Sequence, residues 1–335
     1  MGYIYLVKRV AAALASLFGV ATIAFVLFRI VPGDPARLLT GPGVRAEDIE
    51  GMRVTLGLSD SLPIQFVNWI NGLLHLDFGR SFWLRTNALD AIIDRLPATL
   101  ELVFSAVILA TIVGVVLAIV SVRKRNQWPE KLATSISFFG ISIPDFLWGI
   151  LFIIIFGGIF SVLPISGRID PSTTITQITR FMVIDSILTG NYAAFIDSIA
   201  HLILPALALS FELITVISRT LKSSLLDVMQ EDYIFTDRTK GLSERYIFFV
   251  RGLKNAAIPM ITILGVQMNF LIGGSLMVEL IFGWPGIGTL ALNAVNRRDL
   301  PVIQGIIMTY AVVVIVSNLV IDLIYSKLNP KITYQ

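Results

Sequence analysis

The sequence predicts an all-α polytopic membrane protein with six spans, both termini in the cytoplasm and a large external region after the first span. Three observations carry this. Hydrophobic residues make up 55% of the 335 positions and charged residues only 15%, whereas soluble domains carry about 25% charged residues. The mean hydropathy of +0.80 is concentrated in apolar runs of about 20 residues, the length that crosses a hydrocarbon layer of about 30 Å. Lysine and arginine gather in alternate connections between those runs. A large soluble protein with an apolar core has no need of runs that long.

The first span is the run Val10 to Phe28, preceded by Lys8 and Arg9. It exceeds the h-region of a signal peptide and no small-residue cleavage site follows, so an uncleaved signal-anchor helix is expected. Basic residues before it put the N-terminus inside. Residues 1–30 thus form the start and first span, and residues 31–95 an external region of short helices and loops broken by Gly and Pro. Residues 96–335 form the core, with further spans near Leu96–Val122, Leu132–Ile155, His201–Thr220, Ile258–Phe282 and Pro301–Tyr325. Pro144 should kink the third span, while Pro205 lies near the start of the fourth, where a missing N–H is tolerated.

Charge sets the orientation. Arg123, Lys124, Arg125 and Lys131 lie between spans two and three. Arg219, Lys222, Arg238, Lys240, Arg245, Arg251 and Lys254 lie at or between the ends of spans four and five, and Lys327 and Lys331 follow span six. All are internal when the N-terminus is inside. Between spans three and four, the run Ile175 to Leu188 is too short and polar to cross, and an interfacial helix is expected.

The chain contains no cysteine and only two histidines, His75 and His201. This excludes disulfides and thiolate sites, and no metal cluster is expected. No GxxxxGK followed by Ser or Thr occurs, so the chain has no P-loop for ATP. Neither HExxH nor a Ser/His/Asp arrangement is present, so no catalytic residue is proposed. Carboxylates within the spans are Glu101, Asp145, Glu212, Glu279 and Asp322. Charge in lipid is costly and often marks a path. Glu101 and Asp322 read as residues near helix ends, whereas Glu212 and Glu279 sit deeper, with a pathway role and structural pairing both open.

The internal loop 221–258 is the most informative segment. "SSLLDVMQEDYIFTDRTKG" reads as one helix with Leu225, Leu226, Met229 and Tyr233 as its apolar members. Gly241 is its expected stop, with Arg238 and Lys240 suited to the negative helix end. A second amphipathic piece, Ser243 to Ala257, leads to Pro259 at the next membrane entry. Two readings are open on physical grounds: a knob that docks on a partner, or a basic loop lying on anionic lipid.

The stretch "EDYIFTDRTKGLSERYIFFVRGLKNAAIP", Glu231 to Pro259, resembles the EAA loop of ABC importer permeases of the dipeptide/oligopeptide/nickel branch. Gly241 stands at the motif glycine. "FRIVPGDPARLL", "LGLSDSLPIQFVNWINGLLHLDFGRSF", "RLPATLEL", "LPISGR", "HLILPALAL", "FGWPGIG" and "NRRDLPVIQG" follow the family's order over nearly the whole chain. The segment with "FMVID" and "FIDSIAH" looks most like dipeptide permeases.

The resemblance implies a type I importer permease fold in a bacterial cytoplasmic membrane, with short peptides as the first substrate and nickel complexes, glutathione or another small solute as alternatives. An autonomous ion-coupled transporter using carboxylates such as Glu212 and Glu279, and a membrane-embedded enzyme, are the competing readings. The resemblance also implies a homologous second permease, two cytoplasmic ATPase subunits that use ATP and Mg, and an extracytoplasmic binding protein. Membrane lipid surrounds the assembly, and neither a nucleic-acid partner nor a bound cofactor is expected. Carried onto this sequence, the coupling residues are Asp232, Tyr233, Phe235, Thr236, Asp237, Arg238, Lys240, Gly241, Leu242, Asn255 and Pro259. Candidate binding-protein contacts are Gly33, Asp34 and Pro35 after span one, and Trp284, Pro285 and Gly286 before span six. The family pattern "YIRTARAKG" is broken here by Phe235, Asp237 and Thr239, and Arg251 replaces a common His. The expectation is that Asp237 changes how the knob seats and that the ATPase carries matching differences.

Overall fold

A computed structural model describes residues 3–30, 36–37, 44–55 and 57–328. Regular structure among them is helical, apart from one isolated bridge between Arg80 and Asn87. The helices are α1 (Tyr3–Ile30), α2 (Ala46–Thr55), α3 (Leu62–Leu74), α4 (Ala88–Arg123), α5 (Trp128–Ser142) and α6 (Asp145–Ile159). Then come α7 (Met182–Leu188), α8 (Tyr192–Val228), α9 (Asp232–Thr239), α10 (Glu244–Ile281), α11 (Ile287–Asn296) and α12 (Leu300–Leu328). Five of these are long and apolar enough to cross a membrane, and six spans result if α5 and α6 count as one broken span.

The spans outrun their apolar cores. α8 starts at Tyr192, where the Asn191 side chain accepts the Ala194 N–H at 3.1 Å and satisfies an end that otherwise lacks a partner. α10 starts at Glu244, far before the apolar stretch, because Ser243 caps it through the Tyr246 N–H at 3.3 Å. The α5–α6 pair bends by 108° at Ile143 and Pro144. That is a break rather than the expected kink, since the residue before a proline is driven to extended backbone and Ile143 adopts φ −113°, ψ 123°.

Two sequence expectations are corrected. The single helix expected through Tyr233 divides at Met229–Glu231, with α8 ending at Val228 and α9 starting at Asp232. The interfacial helix covers only Met182–Leu188 of the expected run. Its first half is turned aside because the Asp185 carboxylate accepts the N–H groups of Ile178, Thr179 and Arg180, at 3.1, 2.8 and 2.9 Å.

The chain divides into two compact units. The first holds α1 to α3, the start of α4 and Thr289 to Val316. Phe25 of α1 meets Phe66 and Trp69 of α3, with ring centroids 5.1 and 5.7 Å away. Asp299, fully buried, accepts the Ser81 hydroxyl and the Trp83 N–H. The second unit runs from Pro97 to Gly288 and includes α12 from Ser317. Its hub is α8: 61% of its apolar window is buried, against 17–28% for the other four unbroken spans. Small residues let neighbours approach it, as in membrane helix packing generally. A Cβ on Gly114 would lie 2.7 Å from Ile217, and one on Gly140 2.8 Å from the Phe211 carbonyl oxygen.

Candidate functional site

The loop between α8 and α10 is a small braced structure. α9 turns only Ile234 and Asp237 inward, three residues apart on one face. Ile234 is fully buried and Asp237 is 7% exposed. A buried carboxylate needs a partner, and Arg251 supplies it, with Nε 3.3 Å from Asp237 Oδ2. A second tie runs from Asn255, whose amide donates to the Tyr233 hydroxyl at 2.9 Å. A third, Arg238 to Glu244 at 2.9 Å, is exposed and contributes little.

α9 ends in a Schellman motif. The Gly241 N–H donates to the Arg238 carbonyl at 3.0 Å and the Leu242 N–H to the Asp237 carbonyl at 3.3 Å. Gly241 has φ +77°, a conformation in which a Cβ is strained. The next helix enters through a π-helical segment, Ile247–Gly252, before continuing as α-helix past Pro259. Gly252 lets this segment close on the end of α8, since a Cβ there would lie 2.9 Å from the Met229 sulfur.

Inward ties leave an outward apolar rim. Phe235 is 68% exposed, and Tyr233, Leu242, Tyr246, Phe249 and Val250 are also exposed. Asp232, Thr236, Arg238, Thr239, Lys240, Arg245 and Asn255 share the exposed surface. Of the unusual residues, Phe235 and Thr239 therefore face outward, while Asp237 is bound to Arg251, the other departure. The acidic residue expected to change how the knob seats is answered within the chain by Arg251.

The intramembrane carboxylates separate into two kinds. Glu212 is exposed on α8, on one face with Val216, Arg219 and Ser223. Glu279 has no exposed surface and accepts the Thr99 hydroxyl at 2.6 Å. Its carboxylate occupies the space that a Cβ on Gly286 would need, and it lies 2.8 Å from a Cβ on Gly288. Thr99 in turn accepts the Ile287 N–H at 2.8 Å, and the Trp284 indole donates to the Ala98 carbonyl at 2.8 Å. Geometry thus supports structural pairing for Glu279, which fastens the Trp-Pro-Gly turn.

The same turn alters the expected external contacts. Trp284 and Gly286 are buried, so of these three residues only Pro285 reaches the surface. Gly33, Asp34 and Pro35 lie outside the described residues. Glu101, read as a residue near a helix end, is 7% exposed and pairs with Arg168 while accepting the Val183 N–H at 2.8 Å. Sequence reasoning missed Thr99 and Arg168 as carboxylate partners. Arg251 was noted only as an odd residue, and the helix break at Gly241 separates it from Asp237, so no single-helix pattern links the two.

Five or six apolar helical spans, with a braced loop leading into one of them, fit a multi-pass membrane subunit. Comparison with known proteins identifies the family. Residues 95–334 match the binding-protein-dependent transport system inner membrane component family, and residues 3–103 match the N-terminal family of such membrane components. The chain belongs to this family: it is an ABC importer permease subunit, a multi-pass protein of the bacterial inner membrane.

It is 35% identical to the di/tripeptide transport system permease protein DppB of Pseudomonas aeruginosa, covering 99% of each chain. It is 37% identical to the glutathione transport system permease protein GsiC of Escherichia coli, again over 99% of each. Among solved structures, the MetNI methionine ABC transporter in inward-facing conformations matches with a TM-score of 0.52 at 15% identity, covering 69% of this chain and 93% of that one. That likeness concerns the fold alone.

Proposed function

We propose that this chain pairs with a homologous second permease to form the path by which short peptides enter the cell. An extracytoplasmic binding protein delivers the peptide, and two cytoplasmic ATPase subunits use ATP and Mg to drive the cycle. The loop 221–258 is where their movement enters this chain. The observation that carries this reading is the bracing of α9: its inward face is tied to α10 through Asp237–Arg251 and Tyr233–Asn255. Its outward face offers Phe235 and a basic rim. A ligand or partner biases two states only through contacts that differ between them, and a knob fastened to a span transmits such a bias whereas a loose lipid-bound loop does not.

The substrate class rests on the names of the relatives, which specify di/tripeptide, dipeptide and glutathione transport. Nickel complexes and other small solutes remain the alternative within the same mechanism. Glu212, exposed on α8, is the remaining candidate to line the path. Gly33, Asp34, Pro35 and Pro285 are the remaining candidates to meet the binding protein.

Reconstitution tests the reading. Proteoliposomes holding this chain, the second permease and the ATPases should accumulate labelled dipeptide only with ATP and the binding protein. Uptake by this chain alone under a proton or sodium gradient would refute it in favour of an autonomous ion-coupled transporter. Competition by glutathione or a nickel complex, measured on the binding protein, assigns the substrate.

A further inference from the structure

A cavity lies where α4, α5 and α8 share one end, at the start of the loop 221–258. It holds about 380 Å³ and is lined by Ser121, Thr134, Ser137, Ser218, Arg219, Lys222 and Ser223, with Ala133, Phe138 and Leu226 as apolar members. Its level follows from the helix ends: Ser121 is two residues before the end of α4, Ala133 and Thr134 lie in the first half of α5, and Lys222 is in the last turns of α8. This is the cytoplasmic boundary assigned by the neighbouring Arg123, Lys124 and Arg125, and the inference rests on that orientation.

The lining carries uncompensated positive charge. Lys222 is answered by Glu130, with Nζ 2.8 Å from Oε1. Arg219 is exposed and forms no ion pair or hydrogen bond with another described residue. Arg219, Lys222, Ser223 and Leu226 fall at i, i+3, i+4 and i+7, one face of α8. Ser137 and Ser218 are occupied with one another at 3.4 Å, and Ser137 also donates to the Ala133 carbonyl. The hydroxyls of Ser121, Thr134 and Ser223 make no hydrogen bond to described residues, although Ser121 is only 2% exposed and lines the cavity. Thr134 and Ser223 are exposed, so their hydroxyls are open to a ligand. Hydroxyls from three helices beside one uncompensated guanidinium suit a singly charged oxyanion.

We propose that this cavity binds the phosphodiester headgroup of an anionic phospholipid from the cytoplasmic leaflet. The headgroup phosphate would meet Arg219 and the free hydroxyls, while Phe138, 66% exposed at the edge, lies along the acyl chains. Depth and amphipathic lining favour a lipid over a soluble anion: basic pockets between spans on this side suit anionic headgroups, and a peptide carboxylate has no use for the apolar lip. Bound lipid would wedge α5 against α8, next to the connection that carries the loop.

The test uses the assembled importer in mild detergent, titrated with phosphatidylglycerol, phosphatidylethanolamine, inorganic phosphate or glycylglycine, with bound lipid counted by native mass spectrometry. Phosphatidylglycerol should occupy one site in preference to phosphatidylethanolamine. Arg219→Gln should weaken it at least about fivefold, the effect of one cation near an anionic headgroup, and Arg219→Lys should restore most of the affinity. Ser121→Val, which fills the cavity from another helix, should also weaken it. Unchanged phosphatidylglycerol binding in both Arg219→Gln and Ser121→Val overturns the proposal, as does displacement of the lipid by inorganic phosphate or glycylglycine at equal concentration. Because the readout is lipid binding, failure of this inference leaves the transport reading standing, and the reverse holds.

Discussion

Truncating Arg251 should loosen α9 more than truncating both members of the Asp237–Arg251 pair. The Asp237 side chain is 10% exposed and that of Arg251 50% exposed. Arg251→Ala leaves a nearly enclosed carboxylate without its partner, at a cost of about 1–3 kcal/mol. The larger values known for fully buried pairs do not apply, because water reaches the arginine side. Asp237→Ala frees an arginine that turns to solvent, and should cost below about 1 kcal/mol. The double variant should resemble Asp237→Ala alone, so the coupling energy equals the cost of Arg251→Ala, about 1–3 kcal/mol, equivalent to about 5–150-fold in a local opening equilibrium.

Amide hydrogen exchange of 232–242 reads that opening directly. Exchange should quicken in Arg251→Ala and return toward the parent rate when Asp237→Ala is added. ATP-driven uptake should follow the same order. If the two substitutions prove additive, or α9 protection is unchanged without Arg251, the bracing argument fails.

Replacing Gly241 by Val should destabilise the α9 terminus by about 1–2 kcal/mol and uncouple ATP hydrolysis from uptake; normal transport by the variant refutes this. Gly288→Ala would bring a Cβ within 2.7 Å of the Leu276 Cα, and should lower thermal stability by about 1–3 kcal/mol, read as a reduced unfolding temperature in detergent. At Asp185, burial alone would raise the carboxyl. The Thr179 hydroxyl and the N–H groups of Thr179, Ile178 and Arg180 more than offset it, so the group lies below its ordinary 3.8. Its contribution is therefore complete above that value and lost as pH falls through the lower folded value, and exchange at 178–181 should quicken only in that acidic window.

The helical class and its spans were legible because apolar length is a one-dimensional property. Gly241 was legible as well, since a helix stop flanked by Arg238 and Lys240 is a local pattern. Pairings such as Glu279 with Thr99, 180 residues apart, were not: the position of a carboxylate in a span does not say which way it faces. The break at Met229–Glu231 escaped notice because apolar periodicity continues across it. Asp237 misled in a different way. Its departure from the family pattern was visible, but only packing reveals that the residue compensating it lies in the same loop.

The π-helical segment between the loop and the membrane part of α10 takes up one more residue per turn than an α-helix does. Deleting one residue within Ile247–Gly252 would therefore let the helix relax to an ordinary pitch with its two flanks close to their present headings. Each residue of an α-helix turns about 100°, so deleting Lys254, beyond that segment, would instead rotate Arg251, Ser243 and the preceding loop by about that angle relative to Asn255. Arg251 and Asn255 would then no longer share the heading that meets Asp237 and Tyr233. The count of residues from Gly241 to Pro259 is therefore an angular dimension of the transporter, as consequential as the chemistry of any side chain within it.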